Sequence, residues 1–464
     1  MHNEQNKEIK LAQTLSTTNV WALAFGCIIG WGAFVMPGNT FLVNAGPLGT
    51  LIAMAIAFVI LVIIAINYNF MINRYPFAGG EFTYTEKTFG RNHSFICAWF
   101  LGLSYLAIVP LNATALALIS RNLLDNVLQI GFHYTFAGYS IYLGEILLAL
   151  IAIILFGLIT IRGVKMTGAF QTVLAFSLVF GVLVVSIAAV MSSKSDWNNL
   201  YPLFYPGKEP IAGILAVVAV SPWAFVGFDT IPQAAEEFNF SPKKTIGIMT
   251  LSILFGALVY ILLSFVTVMV LPEHYTTWVE YINDLGNLSG LVSLPTFNAA
   301  YILLGKAGLL FLGISVLAAI LSGIIGFYMA TSRLLYSMAR ENVISQWFVK
   351  LHPKYKTPAN AIIFVMIVAI IASLFGRTAL GWIVDMSSTG AAIGFGYTSA
   401  AAVFLALKEN NKPIIVTGVI GTFFSLVFLV LLLVPIAGLN TSLCFEAYIS
   451  LIIWSLLGIL FYKK

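Results

Sequence analysis

Long apolar stretches that contain almost no charged residues dominate the chain. Of its 464 residues, 60% are hydrophobic and only 9% are charged, whereas a typical soluble protein carries about 25% charged residues. A helix that crosses the hydrocarbon core of a bilayer needs roughly 20 mostly apolar residues. Twelve stretches meet this requirement: 18–43, 47–72, 93–120, 140–161, 167–191, 211–237, 245–271, 307–333, 359–376, 379–407, 413–437 and 444–462. The sequence therefore predicts an all-α integral membrane protein with twelve transmembrane helices.

The distribution of lysine and arginine predicts the orientation of these helices. An even number of spans places both chain ends on one side of the membrane, and cytoplasmic loops are enriched in Lys and Arg. Of the 23 Lys and Arg residues, 18 fall on the side of the chain ends and five on the opposite side. Those five are Arg121, Lys194, Lys208, Lys306 and Arg377. We therefore expect a multi-pass protein of the cytoplasmic membrane with both termini, including the tail 1–17, in the cytoplasm.

Two of the predicted spans contain residues that interrupt a helix. Glycine and proline weaken a helix interior by about 1 and about 3 kcal/mol. Gly30 and Gly32 precede Pro37 in the first span, and Gly227 precedes Pro232 in the sixth. Paired interruptions in two halves of a transporter indicate a substrate site near the middle of the membrane, where a zwitterion can satisfy the freed N–H and C=O groups. Close helix packing or a simple proline kink is the alternative interpretation.

Several motifs in chain order resemble those of the amino acid–polyamine–organocation (APC) superfamily of permeases. They are IGWGAF at 29–34, PFAGGEFTY at 76–84, FVGFD at 225–229, AEE at 235–237 and the polar segment 332–358. The resemblance implies a LeuT-like fold, which consists of a 5+5 inverted repeat with two extra helices. Its parts would be 18–191 for helices 1–5, 211–407 for helices 6–10, and 413–462 for helices 11 and 12.

The same resemblance implies where a substrate would bind. Its carboxylate would accept hydrogen bonds from the backbone of the first interrupted helix, and its ammonium would contact carbonyl groups of both interrupted helices. The implied substrate-binding residues are Ile28, Ile29, Gly30, Trp31, Gly32, Trp223, Ala224, Phe225, Gly227 and Asp229. One departure from the family concerns Trp31, because a small residue is usual there. Another is Leu178, near which some proton-coupled relatives carry a lysine.

Gates are implied on both sides of this site. Trp223 matches an aromatic position that closes over the substrate from outside. Glu236 and Glu237, at the cytoplasmic end of the sixth span, are candidates for an inner gate, with Arg74 among their candidate partners. Solvated surface acids are the alternative interpretation of this glutamate pair.

Polar residues inside the predicted spans have more than one interpretation. A lone carboxylate in a membrane costs at least ~2.5 kcal/mol, so Asp229 either contacts a cationic substrate, carries a proton, or caps backbone N–H groups of the interrupted helix. For Asp385 and Arg377 we expect a local ion pair rather than a coupling site. Ser315 and Ser322 could ligate sodium, although hydrogen bonds within the membrane helices are the favoured interpretation.

These observations favour secondary transport of an amino acid or related amine by alternating access, as a proton-coupled symporter or an exchanger. The chain contains no Walker motif, catalytic motif, metal-ligand spacing or nucleic-acid patch, so we expect neither an enzyme nor a bound cofactor or metal. The expected partners are the small-molecule substrate, a proton as candidate coupling ion, and membrane lipid. A sensor without net transport and a sodium-coupled symporter are the two alternatives.

Overall fold

The structure is a computed structural model, and it describes residues 11–123, 126–437, 439 and 441–462. Four basic residues that contribute to the predicted orientation lie outside the described residues: Lys7, Lys10, Lys463 and Lys464. Within the described ranges the chain is mostly helical, with a single two-stranded sheet.

The first part of the chain, up to residue 191, forms seven helices and the hairpin. They are α1 (Thr17–Ile28), α2 (Gly32–Met36), α3 (Val43–Arg74), α4 (Glu81–Phe89), α5 (Arg91–Leu123), β1 (His133–Phe136), β2 (Tyr139–Tyr142), α6 (Leu143–Ile161) and α7 (Val164–Met191). A π-helical segment, Pro37–Leu42, joins α2 to α3. Helix α3 bends at Gly46, which has a non-helical φ of 71° and directly precedes Pro47.

The described residues after 191 form eleven α-helices, with short 3-10 segments between some of them. They are α8 (Pro210–Ala219), α9 (Ser221–Ala224), α10 (Thr230–Gln233), α11 (Thr245–Met269), α12 (Trp278–Asp284), α13 (Pro295–Leu304), α14 (Lys306–Arg340), α15 (Ala359–Ser373), α16 (Gly376–Lys408), α17 (Lys412–Leu433) and α18 (Phe445–Phe461). Helix α5 packs against α14 and α16, and α14 packs against α7. The interrupted helix α1–α2 packs against α7, α11 and α14 and lies inside this bundle.

Membrane-length helices match the predicted spans. Among the described residues, eight helical segments are long and apolar enough to cross a membrane, judged by length and composition. Four shorter apolar helices, α1, α8, α15 and α18, complete the set. Each of the twelve predicted stretches overlaps one of these segments, which confirms the helical membrane fold. The division into two repeats stays a prediction.

The structure places the first three residues of the predicted fourth span in a β-hairpin. Residues 140–142 lie in β2, which pairs antiparallel with β1, and α6 begins only at Leu143. The connecting residues Ala137 and Gly138 have positive φ of 48° and 76°. Positive φ at both central residues is typical of the tight turn that suits a hairpin. Counting apolar residues did not detect this hairpin, because aromatic residues are common both in strands and in membrane-spanning helices.

Candidate functional site

The backbones of two interrupted helices meet at the centre of the bundle. Helix α1 ends at Ile28, the next residue Ile29 is extended (φ −97°, ψ 106°), and α2 begins at Gly32. The second interruption separates α9 from α10, and within it Gly227 has φ of +147°. A Cβ atom on Gly227 would lie 2.5 Å from the backbone nitrogen of Ile28. Glycine is therefore required here, both by its φ angle and by the close approach of the two backbones.

A cavity of about 240 Å³ lies beside this contact. Five of the predicted substrate-binding residues line it: Ile28, Gly30, Trp31, Gly32 and Trp223. The other five predicted residues belong to the interruptions but are not among the described residues that line the cavity: Ile29, Ala224, Phe225, Gly227 and Asp229. The two interruptions thus supply one wall of the cavity, mainly through the first helix.

Trp223 packs directly on the first interruption. A Cβ atom on Gly32 would lie only 2.7 Å from Cη2 of the Trp223 indole. Trp31 also lines the cavity, and its ring centroid lies 6.2 Å from that of Phe297. Two tryptophan residues therefore line the cavity near the glycines.

Tyr260 of α11 connects the two interrupted helices. Its hydroxyl donates a hydrogen bond of 2.8 Å to the carbonyl oxygen of Ala224 and lies 3.4 Å from that of Ile28. The family resemblance implies that carbonyl groups of both interrupted helices contact a substrate ammonium, but it does not indicate Tyr260. A carbonyl oxygen has two lone pairs, so each carbonyl can accept a second donor.

Asn112 of α5 is a cavity residue that the sequence analysis missed. Its side chain is only 3% exposed, and Oδ1 lies 3.1 Å from the position of a Cβ on Gly30. Its Nδ2 lies 2.5 Å from the corresponding position on Gly323 of α14. Asn112 lines the cavity, and its amide has no hydrogen-bond partner in the described part of the chain. A lone amide just after Pro110, inside an apolar stretch, was the available signal.

The predicted ion pair between Arg377 and Asp385 is wrong. Arg377 Nη1 instead donates to the Leu111 carbonyl oxygen at 3.0 Å and to Thr114 Oγ1 at 3.2 Å, and Asp385 lies 3.7 Å from the sulfur of Cys444. Eight positions along a helix correspond to a rise of about 12 Å, which is too far for a direct contact. Both charged residues nevertheless line the cavity.

Asp229 is fully buried beside the second interruption. Its Oδ1 accepts a hydrogen bond of 2.6 Å from the Gly227 backbone N–H, and its Oδ2 lies 3.0 Å from the Tyr105 hydroxyl. The Tyr105 hydroxyl also lies 3.0 Å from the Asp229 carbonyl oxygen. These are the contacts of a carboxyl group that holds an unwound segment in place, as the capping interpretation requires.

Ion pairs follow the second interruption, at the end of the bundle that carries the N-terminal segment. We call this end of the bundle the N-terminal face. Glu237 and Arg333 form a fully buried pair at 2.9 Å, and Glu236 pairs with Arg340 at 3.2 Å. Arg74, considered as a partner from the sequence, instead pairs with Glu409. The pairs join the end of the sixth span to α14.

The N-terminal segment adds backbone contacts to this closure. The N–H groups of Thr14 and Leu15 both donate to the Glu237 carbonyl oxygen at 3.0 Å, and Asn239 N–H donates to the Leu15 carbonyl oxygen at 3.0 Å. The cavity, by contrast, extends towards Arg377 near the start of α16, where the β-hairpin packs on Gly376. The N-terminal face is therefore the closed side of the site.

The two candidate sodium-binding serines are both bonded to α7. Ser315 Oγ donates to the Leu178 carbonyl oxygen at 3.0 Å. Ser322 Oγ donates to Gln171 Oε1, and Gln171 Nε2 donates back to the Ser322 carbonyl oxygen at 2.8 Å. Ser315 Oγ also lies 3.2 Å from the Phe311 carbonyl oxygen of its own helix, so hydrogen bonds within and between helices engage these serines.

A family model described as "Amino acid permease" matches residues 15–459. The chain is 27% identical to the methylthioribose transporter of Bacillus subtilis (strain 168), covering 99% of this chain and 94% of that protein. It is 26% identical to the branched-chain amino acid permease BcaP of the same strain, covering 88% and 83%. It is 25% identical to the vacuolar cationic amino acid transporter 4 of Arabidopsis thaliana, covering 86% and 64%.

A solved structure supports the fold. The outward-open, substrate-bound state of a Na⁺-coupled sialic acid symporter matches with a TM-score of 0.54 and 13% sequence identity, covering 91% of this chain and 92% of that chain. At this identity the likeness concerns the fold alone. The predicted LeuT-like helical fold is thereby confirmed.

Proposed function

Because the chain belongs to the amino acid permease family, we propose that it carries an amino acid or related amine across the cytoplasmic membrane by alternating access, as a proton-coupled symporter or an exchanger. One observation carries this proposal: two interrupted helices touch beside a cavity of about 240 Å³ that is closed at the N-terminal face. Unwound backbone inside a membrane is tolerated only where protein or a cavity satisfies its polar groups, and such a cavity is where transporters of this build bind their cargo.

The first interruption offers donors for a carboxylate. The N–H groups of Ala33 and Phe34 bond back to the carbonyls of Gly30 and Trp31. The N–H groups of Gly30 and Trp31 themselves make no backbone hydrogen bond among the described residues. In our proposal a substrate carboxylate accepts from these free groups and from Gly32.

Polar groups in the cavity and in the adjacent interruptions suit the remainder of a small amine. The second lone pairs of the Ile28 and Ala224 carbonyls can accept an ammonium, as sequence reasoning proposed. The unpartnered amide of Asn112 can both donate to and accept from a polar substrate group. Ligand pockets usually span about 300–1,000 Å³, so a cavity of about 240 Å³ suits a small solute. The relatives act on methylthioribose, branched-chain and cationic amino acids according to their names, which leaves the substrate to be decided by this cavity.

Alternating access requires the two sides to open in turn. In our proposal the Glu237–Arg333 and Glu236–Arg340 pairs form the cytoplasmic gate, and Trp223 closes the opposite side. The predicted split of 18 to five basic residues supports a cytoplasmic N-terminal face. The substrate would enter along the cavity towards Arg377 and leave after the ion pairs separate.

Flux through purified protein in liposomes tests the proposal. The assay uses a panel of labelled neutral, branched-chain and cationic amino acids together with methylthioribose, with imposed pH and sodium gradients. We expect saturable uptake or exchange of at least one amino acid or amine, driven by a pH gradient or by counter-substrate. Binding without flux would favour the sensor, and flux only with sodium would favour the sodium-coupled symporter. Flux of methylthioribose alone would overturn the assignment of an amine substrate.

An isosteric substitution distinguishes the three interpretations of Asp229. Asp229→Asn keeps an oxygen for the Gly227 N–H but removes the charge. A contact with a cationic substrate predicts that affinity falls for lysine-like ligands and survives for neutral ones. A proton-linked role predicts that every substrate loses its response to a pH gradient while exchange still runs. Unchanged affinity and an unchanged pH profile would leave only the capping role.

A further inference from the structure

Glu81, the first residue of α4, is a fully buried carboxyl group that the proposed mechanism does not use. Helix α4 lies outside the membrane spans and begins against α10, at the N-terminal face of the second interruption. A Cβ on Gly80 would lie 2.8 Å from Pro232 Cβ and 3.0 Å from Gln233 Nε2. The start of α4 therefore presses on the segment that must move if this face is to open.

Hydrogen bonds tie Glu81 to two neighbouring helices. Tyr68 of α3 donates to Oε1 at 2.9 Å, and Gln233 Nε2 of α10 donates to Oε2 at 2.7 Å. The other titratable groups whose charges act on Glu81, or on which its charge acts, come from α4, α5 and the sixth span: Tyr84, Cys97, Tyr105 and Asp229. All of them are acids, and no Lys, Arg or His is among them in the described part of the chain.

An ionised Glu81 is poorly accommodated in this setting. A buried charge needs a partner of opposite sign or several strong hydrogen-bond donors. The first turn of α4 offers some compensation, because a helix N-terminus favours an anion. Burial nevertheless raises the pKa of Glu81, and the charge of Asp229 raises it further.

The Gln233 amide beside Glu81 is compatible with the neutral form. Gln233 Oε1 is buried and has no hydrogen-bond partner among the described residues. The oxygen and nitrogen of a glutamine amide are assigned from the hydrogen-bond network and can be exchanged by a rotation. That rotation would let Gln233 Oε1 accept a hydrogen bond from a protonated Glu81, and it would place the amide N–H groups where the unpartnered oxygen now lies. An ionised Glu81 has no hydrogen to offer.

We propose that Glu81 is a proton-binding site that is loaded while the N-terminal face is closed and hydrogen-bonds to Gln233 through the bound proton. When α10 moves away, the carboxyl group meets water, where a glutamate ionises with a pKa near ~4.3, and the proton leaves to that side. The closed state therefore binds one proton more than the open state. Raising the pH at this face shifts the equilibrium towards opening by at most about tenfold per pH unit, the limit for one proton. This inference rests on the proposed transporter function only for the part that the proton would play in the transport cycle.

Infrared difference spectroscopy tests the proton directly, without any transport. If Glu81 is protonated at neutral pH, labelling all glutamates with carbon-13 should shift the C=O band of its carboxyl group relative to unlabelled protein. The label does not shift a band from Asp229, so it distinguishes the two residues without mutation. We expect Glu81→Gln to remove that band and Asp229→Asn to leave it. Absence of a glutamic-acid band in the parent protein at neutral pH would overturn the proposal.

Accessibility of a buried position tests the coupling to opening. Ser337 is buried and packs on Gly79 just before α4, so a Ser337→Cys thiol should react only when this face opens. In a Cys444→Ser background, we expect its reaction rate to rise with pH more steeply than in the same protein with Glu81→Gln. The ratio at each pH cancels the ionisation of the thiol itself. An identical pH dependence in both proteins would refute the coupling, and a lack of amino acid flux would refute the proposed function while leaving both tests of Glu81 valid.

Discussion

Replacing Gly32 by alanine should weaken substrate binding more than it weakens the fold. The new methyl carbon would lie 2.7 Å from Cη2 and 3.4 Å from Cζ3 of Trp223. Carbon atoms pack at about 3.5–4.0 Å, so the indole must move by roughly 1 Å. Trp223 is only partly buried and lines the cavity, which lets the ring shift without disturbing the surrounding helices.

The size of the effect follows from the displaced ring. Overpacking of this kind costs about 1–3 kcal/mol. If the bound state needs the native position of Trp223, this cost appears as an increase in Kd of about 5- to 140-fold, at 1.4 kcal/mol per tenfold. The assay is equilibrium binding of the labelled substrate that gives the highest flux, on purified protein whose elution profile and thermal unfolding match the parent.

Two other glycines provide the contrast. In Gly227→Ala the methyl carbon would lie 2.5 Å from the Ile28 nitrogen and 2.8 Å from the Cys27 carbonyl carbon, at a φ of +147°. Because backbone atoms cannot yield as an indole can, that variant should lose folding stability itself. Gly247→Ala, in helix α11 with nothing within 4 Å, should be neutral or stabilising by up to about 1 kcal/mol. Parent-like affinity in a well-folded Gly32→Ala variant would refute the role of Trp223 in the binding wall.

Three further predictions follow from the same geometry. Trp31→Ala removes an indole from the cavity wall, so competition assays should show binding of larger substrates than the parent accepts; unchanged selectivity would show that Trp31 does not limit the site. Glu237→Gln leaves Arg333 without its buried ionic partner and should lower the free energy of unfolding by about 3–5 kcal/mol. Glu236→Gln affects a partly exposed pair and should lower it by at most about 1 kcal/mol. Equal losses of stability in denaturant unfolding would contradict this ranking. A cysteine at the exposed Lys350, in a Cys444→Ser background, should resist an impermeant thiol reagent added to intact cells, and labelling from outside would reverse the predicted orientation.

Local chemistry made the architecture predictable. Membrane insertion depends on the apolar content of each stretch, so composition identified the spans without knowledge of their neighbours. The interruptions also depend on local properties, because Gly30, Gly32 and Gly227 weaken a helix wherever it lies. Motif resemblance then indicated which spans enclose the site. The hairpin before α6 escaped detection because the apolar count could not distinguish a strand from a span.

Only the tertiary structure decided which side chains meet. Asn112 and Tyr260 come from helices that are distant in sequence from the interruptions, and their place at the cavity follows from helix packing. Arg377 turns to carbonyls of α5 rather than to Asp385, and Glu237 takes Arg333 rather than Arg74. The sequence determined that this chain crosses a membrane and where its helices unwind, because hydrophobicity and backbone preference act residue by residue. Cavity lining and ion pairing depend on how separate helices are placed relative to one another, and that placement exists only in the folded protein.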